Sequence, residues 1–246
     1  MIVDRHRVAE GPGARPRPSI ELMQADRPPG AALSTPRAAG VVGVISALLL
    51  ATVILLFREA VPTESTDPAV WFADSSKRDE LRAAVRLLPF GGIFFLWFIG
   101  AVRAYIGPSE DKFFSTIFLG GGFLFAAVLF LLAGTAYGVI TVADNPHASA
   151  LFPLWEHDRQ TILGLISSYA TRLAAVFAMS TTMIGQHLGI FPRWLVWLGY
   201  LVFLGLIFVV GITTWIVLAF PLWILVVSGH ILVINFRPPH LEGPTK

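Results

Sequence analysis

The stretch WLVWLGYLVFLGLIFVVGITTWIVLAFPLWILVVSGHILVINF (194–236) decides how this chain is built, because it holds no Asp, Glu, Lys or Arg from end to end. Drawn as one helix it would run ~65 Å at 1.5 Å per residue, about twice the hydrocarbon thickness of a bilayer. It therefore has to turn back on itself, and Gly211-Ile212-Thr213-Thr214 is its most polar and most flexible break. Two spans follow, 194–210 and 215–235, with Pro221 expected to kink the second.

Working outward, the same reading repeats along the chain. Residues 38–57 form an uncharged run introduced by Thr35-Pro36, a hydroxyl cap followed by proline in the first turn, and closed by Arg58-Glu59. The loop 61–82 carries Pro62, Pro68 and Lys77-Arg78-Asp79-Glu80, and Ser76 with Asp79 is expected to cap a short amphipathic helix feeding a second span, 87–103. That span is short, and Arg86 and Arg103 snorkel to extend it. A third span is centred on 116–140 and a fourth on 162–190, with Asp158 expected as its cap. Of the 246 residues, 55% are hydrophobic and only 14% are Asp, Glu, Lys or Arg, against about 25% charged residues in soluble domains. The mean hydropathy is +0.70. The fold class read from this is all-α: a polytopic transmembrane helical bundle of six spans occupying 37–237. A disordered cytoplasmic tail (1–36), broken by Gly-Pro and Arg-Pro repeats and lacking aromatics, precedes it, and a short tail (238–246) follows. No apolar segment lies early enough in the tail for a signal peptide.

Lys and Arg set the orientation. With the amino terminus inside, eleven of the 18 fall on the cytoplasmic side and six on the other, and Arg172 remains within the membrane. Both termini are expected in the cytoplasm. Trp194 and Trp197 on one side, and Trp155 on the other, suit interfacial belts.

With zero Cys, disulfides, thiolate metal sites and cysteine nucleophiles are excluded. The net charge is +2, and the six arginines of the first 37 residues are diluted by four acids without interleaved aromatics, so no nucleic-acid partner is expected. Phosphate-cradling loops, a His-Glu-x-x-His pair, an intramembrane aspartate pair and a Gly-x-Ser-x-Gly elbow are all missing, which argues against an enzyme. No cofactor is implied. Asp144, His147, Glu156, His157 and Asp158 are metal-ligand types, but Glu156-His157-Asp158 are consecutive and cannot converge on one ion from a helix, so no metal site is expected.

Arg172 is the strongest single signal. A charge near the midplane costs roughly 2.5–3.5 kcal/mol on insertion scales, and no Asp or Glu lies in any expected span to pair with it. At helical spacing Ser168, Tyr169, Arg172, Val176, Met179, Ser180, Met183 and His187 share a face, which is expected to point into the bundle. Two roles follow: an interior hydrogen-bonding post, or a site for an anion or lipid headgroup. Ser168, Tyr169, Arg172, Ser180 and His187 are thus the candidate ligand-binding residues. His187 and His230 meet only if spans four and six are neighbours. Gly134-x-x-x-Gly138, Gly185-x-x-x-Gly189 and Gly120–Gly122 are spaced for close helix packing.

The strings GIFFLWFIGAVRAYIG (92–107), STIFLGGGFLFAAVLF (115–130), ATRLAAVFAMSTTMIG (170–185) and FPRWLVWLGYLVFLGLI (191–207) resemble a group of uncharacterised bacterial six-helix membrane proteins, a domain of unknown function. The resemblance covers about 38–235, resting on Arg172-Leu173-Ala174-Ala175-Val176-Phe177 and Pro192-Arg193-Trp194-Leu195. It implies a six-helix fold in the bacterial cytoplasmic membrane and a prominent Arg172, and no activity. The functional expectation is a non-enzymatic accessory or interaction component in the lipid bilayer, with a membrane-protein partner or a second copy. The alternative is a binding or transport protein for a small anionic or amphipathic ligand near Arg172.

Overall fold

The computed structural model describes residues 35–64, 66–106, 112–145, 152–208 and 214–236. The tail up to residue 34, His147, most of the Gly211–Thr214 break and the tail 238–246 lie outside the described residues. Among the described residues all regular structure is helical.

Helix α1 (Thr35–Ala60) opens with Pro36 in its first turn and ends just past Arg58. A short α2 (Pro68–Ala73) follows, capped by the Asp67 carboxylate on the Ala69 amide. Then α3 (Ser75–Ile106) runs without interruption through the charged run and the apolar span. Its cap is Asp74, whose carboxylate accepts from the Ser76 and Lys77 amides at 3.0 and 3.3 Å, so the expected cap at Ser76 moves two residues upstream. Pro89 sits inside α3 and removes the bond to the Val85 carbonyl. Helix α4 (Lys112–Ala143) is followed by a continuous rod made of α5 (Phe152–Gly164), a π-helical segment (Leu165–Ala170) and α6 (Thr171–His187). Because this rod starts at Phe152, Asp158 lies inside a helix and does not cap one. Helix α7 (Arg193–Phe208) comes next, then a 3-10 turn (Thr214–Leu218) and α8 (Ala219–Phe236). Pro221 falls in the first turn of α8, where its missing N–H belongs to the unpaired set of any helix start.

Five of these segments are long and apolar enough to cross a membrane: Arg37–Ala60, Ser75–Ala104, Lys112–Ala143, Phe152–His187 and Trp215–Ile234. The sixth apolar helix, α7, has 16 residues, ~24 Å of helix, shorter than a full hydrocarbon core. The outer surface carries large apolar side chains such as Phe90, Trp97, Phe123, Leu131, Leu201 and Leu222, whereas Ser46, Thr171, Ser180, Thr181, Thr182 and Ser228 are buried. Apolar residues outside and small hydroxyls inside suit a multi-pass membrane protein.

The helices form a ring in the order α1, α3, α4, the α5–α6 rod, α7, α8 and back to α1, with a lighter α7–α8 contact. Its centre is filled by phenylalanines. Phe95 of α3 meets Phe125 of α4 at 4.9 Å, Phe177 of α6 at 5.1 Å and Phe220 of α8 at 6.0 Å between ring centroids. Phe118 stacks on Phe177 at 4.9 Å, and Phe125 meets Phe220 edge-on at 5.1 Å.

Close approach is concentrated at the proximal end, where α1 begins and α6 turns into α7. A Cβ on Gly43 would stand 2.0 Å from Ser228 Oγ and 2.7 Å from the Phe98 ring, and one on Gly40 2.4 Å from Leu232. The α6–α7 turn is a Schellman motif: the Ile190 and Gly189 amides donate to Gly185 and Gln186 carbonyls at 2.9 and 3.1 Å, with Gly189 at φ 67°. The Tyr200 hydroxyl bonds Gln186 Oε1 across the hairpin at 2.8 Å. Among the glycines expected to pack, Gly121 and Gly122 do, against Val176 and against Ile99 and Phe177, while Gly120, Gly134 and Gly138 meet nothing within 4 Å. Gly185 is packed by the Phe191 ring within the turn rather than across helices.

Gly199 and Gly100 make the packing testable. A Cβ at Gly199 would lie 2.0 Å from Thr182 Oγ1 and 3.0 Å from the stiff Thr182 Cβ, whereas none meets Gly100 within 4 Å. Gly199→Ala should destabilise the bundle by about 1–3 kcal/mol, while Gly100→Ala should gain about 0.5–1 kcal/mol of helix propensity. Thermal unfolding of the two purified variants in detergent reads the difference, and equal melting temperatures would show that α6 and α7 do not approach this closely.

Candidate functional site

The sequence-predicted stripe on the fourth span does not point inward. Arg172 is exposed, and its Nη1 donates to the Ser168 carbonyl, one turn back on its own helix, at 2.8 Å. Tyr169 is 62% exposed, His187 is exposed, and Ser168 is half-buried. Of the five candidates only Ser180 is buried, and its hydroxyl is used on the Val176 and Phe177 carbonyls at 2.9 and 3.1 Å. The structure therefore does not bring the five together. The reason is packing: α6 turns its small face inward, Thr171, Ala174, Ala175, Ala178, Thr181 and Thr182, because only small residues let helices approach. Its buried hydroxyls satisfy themselves on their own helix, Thr181 on Phe177 and Thr182 on Ala178, each at 2.7 Å, so no arginine is required inside.

His230 packs edge-on to Phe191 and Trp194, with ring centroids at 6.5 and 6.1 Å. Among the described residues no group of three or more His, Asp or Glu is placed to hold a metal ion.

The charge that does enter the protein is Arg159. It is 4% exposed and lies at the distal end, where α1 finishes. Its Nε and Nη2 hold both Glu156 oxygens at 3.0 and 2.7 Å, and Nη1 donates to the Pro62 and Thr63 carbonyls at 2.9 and 3.2 Å. This ties the rod to the chain leaving α1. Beside it Trp155, 1% exposed, stacks on Trp71 at 4.0 Å, and Trp71 Nε1 donates to the Ala60 carbonyl at 2.8 Å. Trp155 is thus part of a buried cap, not of an interfacial belt; Trp194 and Trp197 are exposed as a belt requires. Arg82 bridges Asp79 and Asp144, tying α3 to the end of α4 at the same level.

Below this cap lies a cavity of about 230 Å³, larger than the roughly 150 Å³ of an engineered apolar cavity that stays dry and binds benzene. Its walls are the distal halves of α1 (Leu50, Val53, Phe57) and α4 (Leu129, Leu132), the π-helical segment with its flanks (Leu163, Ile166, Ala170), and the 3-10 turn. Phe125 and Phe220 of the phenylalanine cluster form its floor together with Ala174. Ser167 and Thr171 face it, but their hydroxyls donate to the Leu163 and Ile166 carbonyls, each at 2.7 Å. The mouth is different. There the Arg58 guanidinium lies 3.7 Å above the Trp215 ring centroid, next to exposed Thr63. Such cation–π contact holds a positive charge over an apolar opening.

Sequence reasoning missed this site. Arg58 reads as a helix-ending charge and Trp215 as part of an apolar run, and nothing in their spacing shows that they meet. The accessible signal is the group Ser167, Ser168 and Thr171, polar residues in an apolar span that lie in and beside the π-helical segment; such segments are frequent at functional sites. No family model, curated protein or solved structure matches this chain.

Two arginines on one rod now have opposite consequences. Arg159→Ala leaves the Pro62 and Thr63 carbonyls without their guanidinium donor and Glu156 with only Gln160 Nε2, and should cost about 1–3 kcal/mol. Arg172→Ala gives up one bond on an exposed surface and should leave the isolated protein within about 0.5 kcal/mol of wild type. Thermal unfolding in a neutral detergent checks both. A larger loss at Arg172 would place that side chain inside after all.

Proposed function

We propose that this protein is a non-enzymatic, six-span component of a bacterial cytoplasmic membrane that binds an amphipathic, anionic molecule, its apolar chain in the distal cavity and its head at Arg58. The observation carrying this reading is the cavity itself, an apolar chamber with a guanidinium at its mouth. An apolar chain gains roughly 0.8 kcal/mol per buried CH₂ when it leaves water. For a ligand already in lipid that gain vanishes, so selectivity falls to the charge at the mouth and to shape. A site at Arg172 is not favoured, because that side chain stands on the opposite, outward surface. The bacterial setting follows the resemblance carried by residues 92–107, 115–130, 170–185 and 191–207.

Six crossings place both termini on one side. The distribution of Lys and Arg supports that side being the cytoplasm, and the shortness of α7 is met by Arg193 and by local thinning of the bilayer. Since the chain has no native Cys, single cysteines test it directly. In intact cells a membrane-impermeant maleimide should label Glu64→Cys, but should reach Ser19→Cys and Thr245→Cys only after permeabilisation. Labelling of Ser19→Cys and Thr245→Cys from opposite sides would establish an odd number of crossings.

Ligand binding is tested with a diazirine-bearing fatty acid on the full-length protein in nanodiscs of neutral lipid. Photo-adducts should concentrate on 163–174 and 215–220, saturate, and be displaced by excess palmitate but not by the corresponding long-chain amine. Arg58→Ala should weaken labelling about tenfold, in line with loss of a charge-assisted contact, and Ala170→Phe should block it by filling the cavity. Unsaturable labelling spread evenly over Trp97, Phe123 and Leu131 would overturn the reading.

A further inference from the structure

We infer that the outward face of α6 around Arg172 docks a transmembrane helix of a second protein, one that presents an Asp or Glu at mid-membrane depth. This is independent of the cavity, which lies on the other side of the rod.

Arg172 stands near the middle of the Phe152–His187 rod, about 20 Å of helix from Arg159 and about 22 Å from His187. With the rod centred on a hydrocarbon core ~30 Å thick, Arg172 lies ~15 Å from either interface, farther than its stem carries the guanidinium by snorkelling. Among the described residues its partner is the single Ser168 carbonyl, on the same helix. The other four of its five N–H donors meet no acceptor among the described residues. Ionisable residues at this depth ordinarily face a protein interior or an aqueous cavity. Here the interior side of α6 is closed by Thr171, Ala174, Ala175 and Ala178, all buried, so the described residues offer no acceptor beyond Ser168 and a partner helix supplies the counter-charge.

Charge complementarity selects the occupant. A second copy of this chain cannot supply the counter-charge, because the sequence holds no Asp or Glu between Glu80 and Glu110, between Asp111 and Asp144, or between Asp158 and Glu242. A partner with its own mid-span carboxylate can. The neighbouring side chains have the composition of a contact surface: Tyr169 is exposed, and Val176, Met179 and Met183 are half-buried along the same face. Tyr, Met and Arg are enriched where proteins meet, and Met adapts to an incoming surface.

The test uses the full-length protein, acceptor-labelled at Glu64→Cys, in phosphatidylcholine vesicles. The probes are donor-labelled synthetic polyleucine helices carrying a central Asp, Leu or Lys. Energy transfer should show the Asp helix associating about tenfold more strongly than the Leu helix, the scale of a good interhelical polar contact, and the Lys helix no more than the Leu helix. Arg172→Gln should remove the preference, and Arg172→Lys should keep part of it. Equal association of all three helices, or a preference that survives Arg172→Gln, would overturn the inference. So would erasure of the preference by added phosphatidylglycerol, which would assign Arg172 to lipid phosphate. Arg172-dependent transfer between two labelled copies of the protein would likewise overturn it, in favour of a homo-oligomer.

Discussion

Four helices are held at one level by the rings of Phe95, Phe125, Phe177 and Phe220, with Phe118 stacked behind Phe177. In lipid, where burying apolar surface gives little net gain, a core must be held by contact geometry and dispersion. Edge-to-face and offset aromatic pairs supply both, worth about 0.5–1.5 kcal/mol each beyond area. The cluster also sets what surrounds it. Proximal to it the helices are free to close on one another through glycine, and distal to it Phe125 and Phe220 become the floor of a space that the remaining side chains do not fill.

Polar groups obey the same economy of partners. Inside, Ser167, Thr171, Ser180, Thr181 and Thr182 each bond a carbonyl four or five residues back, so they enter the bundle without calling for a charged partner. Thr171 and its amide both return to the Ile166 carbonyl, the longer reach that a π-helical segment offers. Arg159 is admitted because it arrives with its own counter-charge and two spare carbonyls. Arg172 brings neither, and burying an uncompensated guanidinium against Ala174 and Ala178 would cost far more than leaving it outside.

The apolar helices were legible because they depend on one local quantity, the run of uncharged residues; five of them are long enough to cross a membrane. Arg58 and Arg103 fall in the last turns of their helices as read, and the 194–236 stretch divides into two helices. What failed depended on choosing a face. Rotational phase was inferred for α6 from its polar residues, on the rule that polarity points inward, yet threonine and serine at the small-residue face already met that rule and freed Arg172 to face outward. The glycine spacings failed similarly: Gly134 and Gly138 have the right interval, but among the described residues nothing comes within 4 Å of where their Cβ would stand, while Gly40, Gly43 and Gly199 pack without forming a conspicuous motif. Interval is local, whereas which helix stands opposite is not.

The proximal–distal asymmetry has a compositional origin. The tightest helix–helix approaches, at Gly40, Gly43, Gly122 and Gly199, fall in the proximal half of their helices, where a missing Cβ brings the backbones together. In the distal half the corresponding positions carry Leu50, Val53, Phe57, Leu129, Leu132 and Leu206, whose branched or aromatic bulk holds the backbones apart. Spread helices need bracing from above, and the Arg159–Glu156 pair, the Trp71–Trp155 stack and the Arg82–Asp144 bridge provide it at the distal rim. A bundle pinned by glycine at one end and by a polar and aromatic cap at the other can keep an unfilled chamber between them without collapsing it. That is why the cavity sits between the phenylalanine floor and the rim, and why its opening falls beside Arg58 and Trp215, where the bracing set does not extend.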